Sequence, residues 1–219
     1  MVYAAGAQIT GTRVCEAQDR TEEVSMRRVI ASEFVSLDGV VEALEKWLGA
    51  YFDEEMGQEI TAAMGRADAM LLGRVTYEEW AAFFPSPASE GVPSRDYMNE
   101  VRKYVVSSTL EEPLEWSNST LIKDNVAEEI TRLKRQPGKD ISVSGSGILV
   151  RSLLEGGLLD ELRLMVHPIV VGSGKRLFEE GSDSKALELV DSKTFGTGVV
   201  YLTYRSASKQ EHLDRGGAR

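Results

Sequence analysis

The stretch ISVSGSGILV, residues 141–150, has the composition of a strand, a tight turn and the start of a helix. β-Branched residues alternate with serine at its start, and glycines follow at positions 145 and 147. Because glycine has no Cβ, the backbone N–H groups of such a turn can approach an anion closely. The stretch therefore predicts either a pyrophosphate-binding loop at a helix N-terminus or, for steric reasons alone, a plain strand-to-helix turn.

Strands and helices alternate on both sides of this stretch. We predict strands at 28–35, 69–72, 103–107, 119–122 and 141–143, and helices at 53–66, from Thr76 onward, at 124–135 and at 147–156. Three β-rich runs without helices close the chain, at 161–171, 185–191 and 198–205. Alternation favours a mostly parallel sheet covered on both faces, and the closing strands favour an antiparallel edge. The predicted class is α/β with one mixed sheet.

Composition and length are those of a single globular domain. The chain has 219 residues, of which 42% are hydrophobic and 27% charged. No interdomain linker and no repeat of solenoid period is visible. We predict one domain over 26–205, preceded by a loose leader over 1–25 and followed by a frayed tail over 206–219.

Charge and cysteine content exclude several classes of function. The net charge of −10 disfavours general nucleic-acid binding, which depends on cations that neutralise phosphates. No apolar run approaches the roughly 18 residues of a membrane-spanning helix, and the N-terminal residues lack a signal pattern, so we expect a cytoplasmic protein. Cys15 is the only cysteine, and with two histidines it leaves no cluster for structural zinc. We expect no metal site.

Two further loops follow predicted strands, and ligands of open α/β sheets bind at such strand ends. In the first, Thr76 and Glu79 have capping-box spacing, and Arg74 is suited to bidentate phosphate contact. The alternative is a plain cap beside a solvated arginine. The second loop offers the hydroxyls of Ser107, Ser108 and Thr109, or is only a polar strand end.

Several nucleotide and hydrolase motifs are incomplete. The Gly-x-Gly pairs at 145–147 and 172–174 are followed by Val150 and Leu177 where the dinucleotide fingerprint requires a third glycine. Gly174-Lys175 lacks the rest of a Walker loop, and no nucleophile elbow is present. These absences disfavour P-loop NTPases and serine hydrolases.

Five segments, in their order along the chain, resemble one known family. They are SLDG at 36–39, LGRVTY at 72–77, VSST at 106–109, VSGSG at 143–147 and HPIVVGSGKRLF at 167–178. The order is similar to that of the dihydrofolate reductase-like family, and within it to the C-terminal reductase domain of the bifunctional riboflavin-biosynthesis deaminase/reductase. The resemblance covers residues 27–205. It implies a three-layer α/β/α dihydrofolate reductase-like mixed sheet, mostly parallel with an antiparallel C-terminal hairpin, NADPH bound across the strand ends, and a homodimer.

The resemblance also implies where each part of the cofactor would lie. The nicotinamide would lie against Ile30, Ala31, Gly39 and Val40, and the pyrophosphate against Gly145, Ser146, Gly147 and Ile148. The adenosine side and its 2′-phosphate would be held by Gly73, Arg74, Thr76, Ser107, Ser108 and Thr109.

The residues predicted to contact the substrate are Asp38 and three aromatic residues that follow it in the chain. Asp38 is the predicted catalytic carboxylate, which would orient the substrate or relay a proton, and its alternative is a turn aspartate before glycine. Trp47, Tyr51 and Phe52 could form the wall that stacks on a flat substrate, or could pack into the core. The pterin-binding acid of dihydrofolate reductases would fall near Gly57, where none of the neighbouring acids matches cleanly.

The sequence as a whole predicts an NADPH-dependent reductase of a small heterocyclic or sugar-derived carbonyl or imine. It resembles 5-amino-6-(5-phosphoribosylamino)uracil reductase, and the alternative is a noncatalytic module that senses NADPH. The turn at 172–176 could contact a substrate phosphate, although a solvated turn is the stronger interpretation. We predict that His167 lies in the core, together with Trp80, Phe83 and Phe84.

Overall fold

The computed structural model describes residues 26–179, 181 and 184–206, so the predicted leader lies outside the described residues, as does the predicted tail after Ser206. The strands are β1 (Val29–Ser36), β2 (Ala67–Gly73), β3 (Arg102–Val106), β4 (Ser119–Ile122), β5 (Asp140–Ser144), β6 (Glu161–His167), β7 (Leu187–Thr194) and β8 (Val200–Ser206). The helices are α1 (Glu54–Gly65), α2 (Arg74–Phe83), α3 (Arg95–Glu100), α4 (Val126–Lys134) and α5 (Gly147–Glu155). Short 3-10 helices cover Leu44–Lys46, Leu48–Tyr51 and Pro87–Ser89.

All eight strands form one sheet, in the order β4-β3-β2-β5-β1-β6-β8-β7. The first six of these are mutually parallel, and β8 runs antiparallel to both β6 and β7. This confirms the predicted mixed sheet with an antiparallel C-terminal pair. Within the described residues, no helix combines the length and apolar character that crossing a membrane requires.

Residue alternation in the central strands gives the sheet two buried faces. On the back face, Ile141 and Val143 join a cluster with apolar residues of α4 and α5. On the front face, Met70 packs with aromatic residues of α2, and Met165 packs with Met56 of α1. Each fully buried large apolar side chain stabilises the fold by about 1.5–3 kcal/mol. The result is a three-layer α/β/α arrangement.

The start of α2 corrects the predicted capping box. The helix begins at Arg74, with Gly73 as its N-cap in extended conformation, and Thr76 is the buried third residue of the helix. Because β2 runs into α2 without an intervening loop, Thr76 is inside the helix and cannot cap it. Glu79 therefore has no capping role.

Two other predictions are corrected. Strand β6 ends at His167 and not at 171, since Pro168 has no N–H to donate to a ladder. Of the aromatic residues on α2 and just after it, Phe84 is buried and Trp80 half-buried, but Phe83 is exposed. Trp80 and Phe84 are four residues apart and therefore share a helix face, and Phe83 does not lie on that face.

Candidate functional site

The strand-to-helix junctions at the ends of β2 and β5, each a tight turn of the backbone, meet at the carboxyl edge of the sheet, where these two parallel strands are neighbours. A Cβ added to Gly73 would collide with Oγ of Ser146 and lie 2.9 Å from its Cβ. A Cβ added to Gly145 would lie 3.0 Å from Cγ2 of Thr76, and Gly145 has a φ of +65°. The approach of the two turns therefore requires glycine at both positions.

The same two turns open helices whose first N–H groups lack a side-chain cap. Neither Gly73 before α2 nor Ser146 before α5 provides a side-chain hydrogen bond to its helix. Free N–H groups and the positive end of the helix dipole favour an anion at this position. Ile148 and Val75, in the first turns of the two helices, are exposed apolar residues. Adjacent anion-binding and apolar surfaces fit a dinucleotide, which has both kinds of group.

The predicted 2′-phosphate residues lie at this edge but are partly engaged. Nη1 of Arg74 donates to Oε2 of Glu78 at 2.7 Å. Ser107 is buried, and its Oγ accepts hydrogen bonds from the N–H groups of Thr109 and Leu110 at 3.2 and 3.1 Å. Ser107 therefore shapes the turn after β3, while Ser108 and Thr109 are exposed.

A cavity of about 240 Å³ lies between the front face of the sheet and the helices α1 to α3. Its lining includes Ile30, Ser32, Ser142, Ser144, Tyr97 and Tyr201. Ser32 and Ser144 are register partners on β1 and β5, and Ser142 lies two residues before Ser144 on the same face. Three hydroxyl groups therefore form a polar patch in the middle of the sheet.

The glycine turn follows directly in the chain on a strand that lines the cavity. Ser144 lines the cavity, and the next residue is Gly145 of the turn. The serine patch was not predicted from the sequence, although the pattern of β5 indicates it. On β5, serines alternate with the apolar residues of the back face, so the serines lie on the front face.

The predicted substrate wall does not line this cavity. Trp47 and Tyr51 pack edge-on against the ring of His167, with centroids 5.1 and 5.9 Å apart. Phe52 is half exposed and packs near Gly57. The alternative interpretation, packing into the core, holds for Trp47, which is almost fully buried.

His167 lies in the core, as predicted. Its Nδ1 donates to the carbonyl oxygen of Met165 at 2.8 Å, because a carbonyl can only accept. Burial lowers the pKa of His167, so the ring is neutral near pH 7. It serves as the centre of an aromatic cluster with Phe34, Trp47 and Tyr51.

Asp38 is held within the protein by several donors. Its carboxylate accepts from the N–H of Val171 at 3.0 Å, the hydroxyl of Ser36 at 2.7 Å and the N–H of Gly172 at 2.8 Å. These bonds, with that from Val171 the largest contribution, lower the pKa of Asp38 to about 2. A carboxylate that stays ionised and fully bonded is poorly suited to relay a proton, so the geometry favours the turn interpretation.

We expect Asp38→Ala to open the loop after β6 while Asp38→Asn changes it much less. Alanine removes every acceptor for Val171 and Gly172, whereas the asparagine oxygen keeps one. The measurement is the rate of tryptic cleavage after Lys175 and Arg176, both exposed in this loop. Unchanged cleavage in Asp38→Ala would contradict the turn role, and a loss of turnover in Asp38→Asn with cleavage unchanged would restore the catalytic one.

Helix α1 places a different acid at the cavity from the one that the family pattern requires. Gly57, near the expected position, has no side chain to offer. Glu59 lines the cavity instead, and its Oε1 lies 3.3 Å from Nη2 of Arg66. The carboxylate from α1 is therefore at the rim and paired with a cation.

Glu33 is a buried acid that the sequence analysis missed. It lies on β1 one residue out of phase with Ser32 and Phe34, so its side chain lies on the back face of the sheet. Its Oε1 is buried and has no hydrogen-bond partner among the described residues. Burial raises the pKa of Glu33 to about 8, so the carboxyl group is mostly protonated at pH 7.

Comparisons with known proteins show the family to which the chain belongs. Residues 27–201 match the family model of the RibD C-terminal domain. YyaP, an uncharacterized protein of Bacillus subtilis (strain 168), is 33% identical over 189 residues, which are 84% of this chain and 97% of YyaP.

Two solved structures show the same fold at lower identity. One is a diaminohydroxyphosphoribosylaminopyrimidine deaminase/5-amino-6-(5-phosphoribosylamino)uracil reductase from Thermotoga maritima, with 15% identity and a TM-score of 0.60 over 83% of this chain and 57% of that chain. The other is dihydrofolate reductase from Enterococcus faecalis complexed with NADP(H), with 16% identity and a TM-score of 0.55 over 83% of this chain and 97% of that chain.

Proposed function

Because the chain belongs to the RibD C-terminal domain family, we propose that it is an NADPH-dependent reductase of a small heterocyclic or sugar-derived carbonyl or imine. One observation carries this proposal: the glycine turn at the N-terminus of α5 continues directly from the strand that lines the cavity. A dinucleotide held by the turn would have its reactive end beside a molecule held in the cavity.

The similar structures support the choice of cofactor. The Enterococcus faecalis dihydrofolate reductase, which shares the fold, is complexed with NADP(H), and the Thermotoga maritima protein is described as a deaminase and a reductase. Bound NADPH supplies a hydride. In this chain the N–H groups of Gly145, Ser146 and Gly147 would bind the pyrophosphate, and Arg74 with Ser108 and Thr109 would bind the 2′-phosphate.

The remaining residues of the sequence-based assignment are part of the same proposal. The backbone of Ile30, Ala31, Gly39 and Val40 would flank the nicotinamide. Ile30 and Ala31 are buried in the central strand β1, and Val40 is buried in the turn that follows it. Homodimerisation stays a prediction.

Tyr97 is the residue that we propose as hydrogen-bond donor to the substrate. Its hydroxyl is buried in the cavity wall next to Ser142, but makes no hydrogen bond of ordinary geometry among the described residues. Burial raises the pKa of Tyr97, so the hydroxyl keeps its proton across the neutral range. A donor of this kind can stabilise the negative charge that develops on the acceptor atom.

We expect NADPH to raise the midpoint of thermal unfolding more than NADH does. At a hundredfold excess over the dissociation constant, binding stabilises the folded state by about 2.7 kcal/mol, which corresponds to roughly 5–10 °C for a chain of this size. Equal shifts with both nucleotides would contradict the 2′-phosphate assignment, and no shift with either would contradict the cofactor assignment. A shift without oxidation of NADPH by any carbonyl or imine would favour the alternative of a nucleotide-sensing module.

A further inference from the structure

We propose that the cavity takes an uncharged, flat ring compound that carries no phosphate. That this compound is reduced rests on the proposed function. Its charge and shape are argued from the cavity alone.

The serine patch supplies hydrogen bonds without charge. The hydroxyl group of Ser142 donates to the carbonyl oxygen of Ala69 at 3.2 Å, while the hydroxyl groups of Ser32 and Ser144 make no hydrogen bond among the described residues. A hydroxyl group both donates and accepts, so Ser32 and Ser144 can pair with the C=O and N–H groups of one ring edge. A few polar groups among apolar walls are typical of a small-molecule site, and the three polar groups here carry no charge.

The walls around the patch are apolar and partly aromatic. Phe34, Trp80 and Phe84 line the cavity together with Ile60 and Met165. Such side chains favour a flat ring, which removes much apolar surface from water at a low cost in conformational entropy.

The two arginines that line the cavity are already paired with carboxylates. Arg66 lies 3.3 Å from Glu59, and Nε of Arg163 donates to Oε1 of Glu161 at 2.7 Å. Asp140 accepts from Arg28 at 2.6 Å. Among the described lining residues no arginine or lysine is left without a carboxylate. A phosphate in the cavity would have to break an ion pair or remain uncompensated, and both are costly.

The loop after β6 does not supply the missing cation. Nζ of Lys175 lies 2.9 Å from Oε1 of Glu42. Nε of Arg176 donates to the carbonyl oxygen of Asp38 at 2.9 Å, and its Nη2 lies 3.8 Å from the Asp38 carboxylate. The two cations of the turn at 172–176 are thus matched by two carboxylates, which favours the solvated-turn interpretation.

A pair of fluorescent probes tests the proposal directly. 6-Hydroxymethylpterin is flat and uncharged, and its phosphate monoester differs only in the phosphate. We expect the neutral probe to bind at least tenfold more tightly than the ester, measured by fluorescence titration of the full chain with and without NADP+. Equal or tighter binding of the ester would overturn the proposal, as would no binding of the neutral probe up to about 1 mM.

Three variants locate the binding. Ser32→Ala and Ser144→Ala should each weaken the neutral probe several-fold, while the matched control Ser119→Ala should not. Ser119 is also a strand serine whose hydroxyl lacks a partner among the described residues, but it lies on the edge strand β4. Equal effects of all three variants would show that the serine patch is not the binding site.

A fourth variant tests whether the pairing of the charged side chains is what excludes a phosphate from the cavity. Glu59→Gln frees Arg66, so it should strengthen binding of the phosphate ester several-fold relative to binding of the neutral probe. No gain for the ester would overturn the charge argument. These results are independent of NADPH binding: if NADPH gives no thermal shift, the proposed function fails while the probe preference stands.

Discussion

Gly73→Ala is expected to weaken NADPH binding by about a hundredfold, because it forces the turn after β5 away from its position. The new Cβ would lie 2.9 Å from Cβ of Ser146, which is closer than two non-bonded carbon atoms approach each other, so the backbone at the start of α5 must shift. A displacement of about 1 Å at a binding group can cost this factor. The measurement is the NADPH dissociation constant by titration, beside the free energy of unfolding.

A second substitution should restore the binding. Ser146→Gly removes both atoms that the new methyl group meets, and glycine also suits the left-handed conformation of residue 146, whose φ is +63°. The double variant Gly73→Ala/Ser146→Gly should therefore bind NADPH close to the original affinity. Gly196→Ala is the matched control, since nothing lies within 4 Å of a Cβ there. If the double variant binds no better than Gly73→Ala, the turn contact does not position the cofactor.

Glu33→Gln is expected to raise the free energy of unfolding at pH 9 by several kcal/mol and to change it little at pH 5. In the folded chain burial raises the pKa of Glu33 to about 8, against an ordinary value of 4.5. Between these pH values the folded state keeps a proton that the unfolded state has lost, so stability falls as pH rises through this window. The fall is at most about 1.4 kcal/mol per pH unit and on the order of 4 kcal/mol in total.

Glutamine keeps the shape of the protonated acid and cannot ionise. Urea unfolding at pH 5 to 9 should therefore give a curve for Glu33→Gln that diverges upward from that of the original protein only above about pH 5. Glu45→Gln, an exposed position on the first 3-10 helix, is the control for the change of net charge. Two parallel curves would mean that Glu33 is solvated or has a partner in the folded protein.

The strands and their order of appearance were predictable because apolar runs and glycine turns are local signals. On β5, Ile141 and Val143 alternate with serines, and this alone separates the two faces of the strand. The start of α2 was not predictable in this way. Thr76 and Glu79 have the spacing of a cap, but the direct passage from β2 into the helix decides the start, and that depends on the position of the whole strand.

The cavity could be predicted only in part. The residues of the glycine turn are consecutive, whereas the cavity combines β1, β2, β5, β6 and β8 with three helices, and no local pattern reports such an assembly. Trp47 was predicted as part of the substrate wall because it is an aromatic residue near the first strand, but the ring it packs against is that of His167, 120 positions away. Glu33 was missed because charged residues in strands are normally exposed, yet it is buried here.

The hydrogen bonds from the loop after β6 to Asp38 restrict how that loop can move. Besides the carboxylate bonds, backbone hydrogen bonds join Leu37 to Ile169, Val41 to Lys175, and Leu177 to Gly39. Two segments more than 130 positions apart in the chain are thus closed over one another, and neither can swing out without breaking the bonds of the other. We therefore expect the two segments to exchange their amide hydrogens together, as a single cooperative opening unit.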